Sequence, residues 1–298
     1  MSQIQLHRLI VFSLLSLIFM KEVTPIEANS REVLNIYNKD RDYYNLFQNN
    51  VNYIVEGPCI LEIHSRLAFP ELTKKIKPYQ FSVVITGVDF KDSLTTNHYF
   101  RKDLNVFSSE HPKYSYTISG KDIINIPKGK HKVELNSVDP KSKVLVRLIS
   151  RPFKKKRSMS SIKVANNIDR QILKNDKDVN SRYFSLLTEN GKNKLNFNIE
   201  GPRIVEISSR IGGPLDNSRE YYQFKIRQDG ELKGVYHMFA QKSESWDLVP
   251  LDSSLPGGTD ISVKRKSYLE VPKGNHNYEL ELMHPGNKNV FFRLYQEK

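Results

Sequence analysis

The stretch Val55-Glu56-Gly57-Pro58-Cys59-Ile60-Leu61-Glu62-Ile63-His64-Ser65-Arg66 returns as Ile199-Glu200-Gly201-Pro202-Arg203-Ile204-Val205-Glu206-Ile207-Ser208-Ser209-Arg210, at an offset of 144. Matches continue on the C-terminal side. Tyr79-Gln80-Phe81 returns as Tyr222-Gln223-Phe224 at an offset of 143, and Ile126-Pro127-Lys128-Gly129 as Val271-Pro272-Lys273-Gly274 at 145. His131, Glu134 and Leu135 match His276, Glu279 and Leu280, and His98-x-Phe100 is similar to His237-x-Phe239. Ordered matches at a nearly constant offset mark an internal duplication.

Each copy has the patterning of strands. Along Cys59 to Arg66 the residues Cys59, Leu61 and Ile63 share one face, while Glu62, His64 and Arg66 share the other. Tyr43 to Gln48 and Val51 to Glu56 flank Asn49-Asn50, which suits a hairpin turn. Tyr79 to Val88, Ile123 to Pro127, His131 to Leu135 and Val144 to Ile149 complete the first copy. Pro127-Lys128-Gly129 reads as a turn between two of them, Pro presetting φ and Gly closing it. The second copy repeats the pattern from Lys194 to Leu294. Short strands without helical periodicity predict an all-β chain of two tandem antiparallel β-sandwich modules, Ig-like or jelly-roll-like. A small barrel has the same local pattern.

The 298 residues are enough for two cores. Leu9 to Met20 is apolar apart from two serines and too short to span a bilayer, so residues 1–28 read as a cleaved secretory leader ending near Ala28. The remainder divides into a first module over 31–150, a basic tether over 151–182 and a second module over 183–298. The tether has ten Lys or Arg against three Asp and almost no aromatic residue, a composition that does not fold alone. Cys59 is the only cysteine, which excludes an intramolecular disulfide.

The net charge of +13 points to a polyanionic or negatively charged membrane partner, with Lys154, Lys155, Lys156 and Arg157 as the contact residues. An exported chain meets acidic polysaccharide, lipopolysaccharide or an envelope protein, not intracellular nucleic acid. Glu62 with Arg66, and Glu206 with Arg210, form rows on the polar strand face that suit either a ligand platform or a shared structural role. Four residues along a strand separates each pair by about 13 Å, so cross-strand partners are expected instead of direct pairing. Trp246, in a Ser-rich stretch expected to be a loop, has no copy in the first module and is a candidate for stacking on a sugar. The loop over Arg101 to Tyr116 is its counterpart. His131 and His276, after the Pro-Lys-Gly turn, are expected to bond nearby backbone, and no set of metal ligands or cofactor motif is legible.

No G-x-S-x-G, H-E-x-x-H or phosphate-binding glycine loop occurs. Pro127 to Leu135 and Pro272 to Leu280 share Pro-x-Gly-x-His-x-x-x-Leu, which resembles the strand–turn–strand edge of PEGA-type bacterial surface modules. The resemblance implies an envelope sandwich and assigns no active residue. The expectation is a non-catalytic periplasmic, cell-surface or secreted protein that binds an anionic or carbohydrate surface or an envelope partner. The alternatives are a polysaccharide-active enzyme and a structural spacer.

Overall fold

The computed structural model describes residues 20–27, 31–47, 50–70, 78–88, 90–99, 101–152, 158–165, 170–175, 178–188, 193–215, 219–249, 260–284 and 288–298. The chain forms two compact units, 1–154 and 155–298. Among the described residues every regular element is a strand.

In the first unit the strands are β1 (Lys21–Val23), β2 (Arg31–Ile36), β3 (Lys39–Asn45), β4 (Val51–Pro70), β5 (Tyr79–Thr86), β6 (Lys91–His98), β7 (Lys102–Asp103), β8 (Val106–Phe107), β9 (Tyr114–Thr117), β10 (Gly120–Ser137) and β11 (Lys143–Pro152). In the second they are β12 (Met159–Ser161), β13 (Arg170–Asn175), β14 (Asp178–Leu187), β15 (Lys194–Gly213), β16 (Glu220–Gln228), β17 (Glu231–Ala240), β18 (Lys242–Val249), β19 (Asp260–Ser262), β20 (Arg265–His284) and β21 (Asn289–Glu297).

Neighbour order agrees between the units. The first runs β6-β5-β10-β4-β11-β1 and the second β17-β16-β20-β15-β21-β12, antiparallel throughout. The hairpin β2–β3 joins β11 as the hairpin β13–β14 joins β21. β9 pairs with the end of β4 as β19 pairs with the end of β15. The duplication is thus one of topology as well as sequence.

Each module closes on itself by folding its two longest strands. Straight, the 18 residues of β10 would span about 60 Å. Yet β5 pairs with the C-terminal half of β10, while the Tyr79 hydroxyl at the start of β5 lies 3.1 Å from Ser65 Oγ. Ser65 is the partner of Gly120 at the other end of β10. β10 and β4 therefore double back together, laying β5 and β6 over the far halves of both strands. The second unit repeats the contact with Tyr222 and Ser209 at 2.8 Å. The bend falls where the β4–β10 register breaks, between Ile126 and Gly129, opposite the cis peptide Gly57–Pro58. A Cβ on Gly57 would stand 1.8 Å from the Pro127 carbonyl oxygen, and one on Gly201 equally close to that of Pro272. Only glycine allows this backbone approach.

The layers enclose Tyr53, Leu61, Phe81, Val133 and Val146 in the first unit and Phe197, Ile207, Phe224 and Leu280 in the second, all fully buried. A smaller core under the β2–β3 hairpin joins Leu34, Tyr43, Tyr116 and Leu145; Leu173, Phe184, Ile261 and Phe291 form its copy.

Several local expectations are corrected. Pro127-Lys128-Gly129 is not a turn between strands but the fold point inside one continuous strand, and Val51 to Glu56 and Cys59 to Arg66 likewise join as β4. The stretch resembling a PEGA-type edge is central, paired on one side with β4 and on the other with β5. Tyr43 to Asn45 pairs with β2 and β11 instead of forming a hairpin with Val51 to Glu56. The hairpin turn is at Tyr37-Asn38, both at positive φ. The range 151–182, read as a tether, contains β12, β13 and the start of β14. These pair with β21 and β18 and supply buried Leu173, because tertiary neighbours satisfy strands that their own charged composition does not. β1 lies inside the range read as a leader. Its counterpart is β12, and each is the outer neighbour of the last strand of its module.

Candidate functional site

The repeated Glu and Arg positions lie on one face of the central strands, as the alternation predicts, but they are not exposed. Glu62, Arg66 and Arg210 are each 5% accessible and Glu206 9%. Arg66 pairs with Asp103 at 3.0 Å and donates to the Thr117 carbonyl; Arg210 donates to the carbonyl of Ser262, the counterpart of Thr117. The hydroxyls of Thr117 and Ser262 accept from the backbone N–H of Leu67 and Ile211, at 3.0 and 2.9 Å. These arginines anchor β9 and β19, the strands paired with the ends of β4 and β15. Both arginines are thus buried and held by internal partners, as the structural role expects.

Glu62 and Glu206 are buried as well and are paired with basic groups. Glu62 meets Lys121 at 3.1 Å, Arg151 at 3.0 Å and His64 at 3.3 Å. Burial alone would raise its pKa, but the hydrogen bond from His64 and the charges of Lys121 and Arg151 outweigh it and hold the carboxyl at about 2. Burial pushes His64 the other way, below its ordinary value. Arg147, opposite His64 on β11, grips Glu22 of β1 through two bonds of 2.9 Å. In the second module Glu206 accepts from Lys266 at 2.6 Å, Ser208 at 3.0 Å and Tyr268 at 3.3 Å. Register makes Lys266 the counterpart of Lys121, and Arg293 that of Arg147, since both pairs flank position 64 or 208. A buried carboxylate paired with a lysine of the neighbouring strand is thus common to both modules.

The histidine expectations divide. His131 Nε2 lies 3.0 Å from the Pro127 carbonyl oxygen, and His276 Nε2 3.3 Å from that of Lys273, so both serve the fold point. His98 and His237 are not equivalent. His98 faces inward opposite Tyr79, whereas Met238, not His237, stands opposite Tyr222. His237 is on the other face, its Nδ1 2.8 Å from the Tyr221 hydroxyl. Trp246 lies on β18 opposite Asn175, in a strand and not in the expected loop. Lys154, Lys155, Lys156 and Arg157 lie outside the described residues, as does the leader up to Phe19.

One cluster was not legible in the sequence. Glu32 is buried, accepts from the Tyr116 hydroxyl, and meets Lys143 at 2.8 Å and His111 at 3.3 Å. It belongs to the first module alone: by register Ile261 and Asn289 replace Tyr116 and Lys143. Its members come from four separate segments, and no spacing signals their meeting.

The fold and these faces define an all-β protein built of two duplicated antiparallel modules. No protein-family model matches the chain, and no curated protein matches it in sequence. Among solved structures it is similar to a peptide-N(4)-(N-acetyl-β-D-glucosaminyl)asparagine amidase at 8% identity, covering 93% of this chain and 96% of that one, with a TM-score of 0.25. The tandem CBM22 domains of Paenibacillus barcinonensis Xyn10C align at 9% identity over 94% and 91% of the two chains, with a TM-score of 0.23. The ANX2 ectodomain of Arabidopsis thaliana aligns at 9% identity over 94% and 90%, with a TM-score of 0.23. Likeness at this level says nothing about activity or ligand.

Proposed function

We propose that this chain is an exported, non-catalytic protein that binds an acidic polysaccharide through the outer faces of its two modules. The observation that carries the reading is the repeated basic partnership on the polar face: Lys121 and Arg151 on Glu62, and Lys266 on Glu206. The whole chain is at +13. A positive chain with lysines at matching positions favours a repetitive polyanion, for which two linked weak sites gain effective concentration. The apolar leader supports export, and the basic run 154–157 adds charge between the faces along the chain.

Affinity electrophoresis of the full chain in gels containing polygalacturonate tests the reading. Retardation that weakens steeply as salt rises is the expected result. Unretarded migration in acidic polysaccharide at low salt would overturn it, as would equal retardation by a neutral glucan. Capture by lipopolysaccharide or anionic vesicles alone would move the partner to a lipid surface and also overturn it.

A further inference from the structure

On the outer face of the second module, Glu206 stands between two tyrosines. Tyr268 of β20 and Tyr295 of β21 are its direct register partners on either side. Two inter-strand spacings separate them, about 10 Å, close to the length of two pyranose residues. Both are half-buried. Tyr268 is tied to Glu206 at 3.3 Å, and the Arg293 guanidinium lies 5.0 Å from the Tyr295 ring centre.

The first module has the same frame without the rings. Ile123 and Ile149 occupy the two positions flanking Glu62. Isoleucine and tyrosine both suit a strand, so the shared fold does not require the aromatic residues. What tyrosine adds is a flat amphipathic surface able to stack on the C–H face of a sugar. Glu206, already bonded to Lys266, Ser208 and Tyr268, holds the Tyr268 ring in place, while Lys266 and Arg293 can meet an acid group.

We infer that Tyr268, Glu206 and Tyr295, with Lys266 and Arg293, form a binding site for an acidic glycan of at least two pyranose residues, and that the second module is the selective one. This rests on the polysaccharide-binding reading and assigns it a site. The test is calorimetric titration of the full chain with a short oligogalacturonate and, in parallel, a neutral glucan oligomer of equal length. Tyr268→Ile with Tyr295→Ile copies the first module, so the fold has a precedent for it. That variant should bind the oligogalacturonate about tenfold more weakly, with thermal unfolding unchanged. Lys266→Gln with Arg293→Gln, a second and independent variant, should bring the acidic and neutral oligomers to equal affinity. Wild-type binding with both variants unaffected would overturn the inference and leave the general reading standing. A wild-type chain that binds neither the oligomer nor polygalacturonate would remove both. Wild-type binding to the polymer but not to the oligomer would remove the site alone.

Discussion

His98 Nε2 lies 2.7 Å from Asp122 Oδ2 across the interior of the first module, and the register counterparts in the second are Met238 and Ser267. Both members of the first pair are buried. The second pair makes only a hydroxyl–sulfur contact of 3.8 Å. One topology thus tolerates an ionic and a nearly apolar solution at the same place. That difference gives a direct way to measure what a buried pair contributes here.

His98→Met alone leaves Asp122 buried without its cation and should cost about 3 kcal/mol. Adding Asp122→Ser, which copies the second module, should recover most of the loss. Denaturant unfolding of the two single variants and the double variant forms the cycle. A double variant no more stable than His98→Met would show that Asp122 was satisfied by other groups.

The same pair makes stability depend on pH. Burial lowers the pKa of His98, but the Asp122 charge and hydrogen bond raise it further, leaving it above the ordinary histidine value. Its contribution is therefore complete below the unfolded pKa and is lost as pH rises through the raised one. Thermal unfolding temperature should fall over that interval in the wild type, and the His98→Met, Asp122→Ser variant should lack this component. Identical pH profiles would contradict the assignment.

Glu62 gives the opposite slope. Its carboxyl is held at about 2, well under its unfolded value, so its contribution persists above that value and is lost as pH falls toward 2. Its size is on the order of 2–3 kcal/mol. Glu62→Gln should lower stability by that amount at pH 7 and flatten the acid limb of the unfolding curve. Equal acid limbs for the two proteins would refute the claim.

Gly57→Ala should destabilise by about 3 kcal/mol, and Gly201→Ala likewise, because the new Cβ would meet a backbone carbonyl that cannot rotate away. Gly230→Ala is a useful contrast, since a Cβ there meets nothing within 4 Å and only its positive φ opposes the change. Calorimetric scans of the three variants should rank Gly230→Ala mildest.

A chain starting at Asn29 lacks β1, the Glu22–Arg147 pair and the bond from Ile26 N–H to the Asn52 carbonyl. Compared with a chain starting at Lys21, it should lose on the order of 2 kcal/mol. Equal stability of the two would show β1 to be dispensable.

How far the primary structure could be read depended on distance along the chain. Alternation from Cys59 to Arg66 placed Glu62, His64 and Arg66 on one face, and they are there. It did not reveal that Asp103 and the Thr117 carbonyl close on Arg66, nor that Lys121 and Arg151, each more than fifty residues away, converge on Glu62. The apparent match of His98 with His237 shows the same limit. Identity of residue type at a similar offset is not identity of register, and a shift of one position moves a side chain to the opposite face. Asp229-Gly230, by contrast, is a local hairpin signal, both residues at positive φ between β16 and β17.

Taken alone, the amino-acid order determined the duplication and the strand character of both halves, because both are properties of periodicity and of segments compared with one another. Only the tertiary structure decided where β4 and β10 fold over, that β12 to β14 belong to the second module, and which basic groups meet each buried carboxylate. Those outcomes depend on pairing between strands far apart in the chain, where the energy of a residue is set by neighbours that its own segment does not contain.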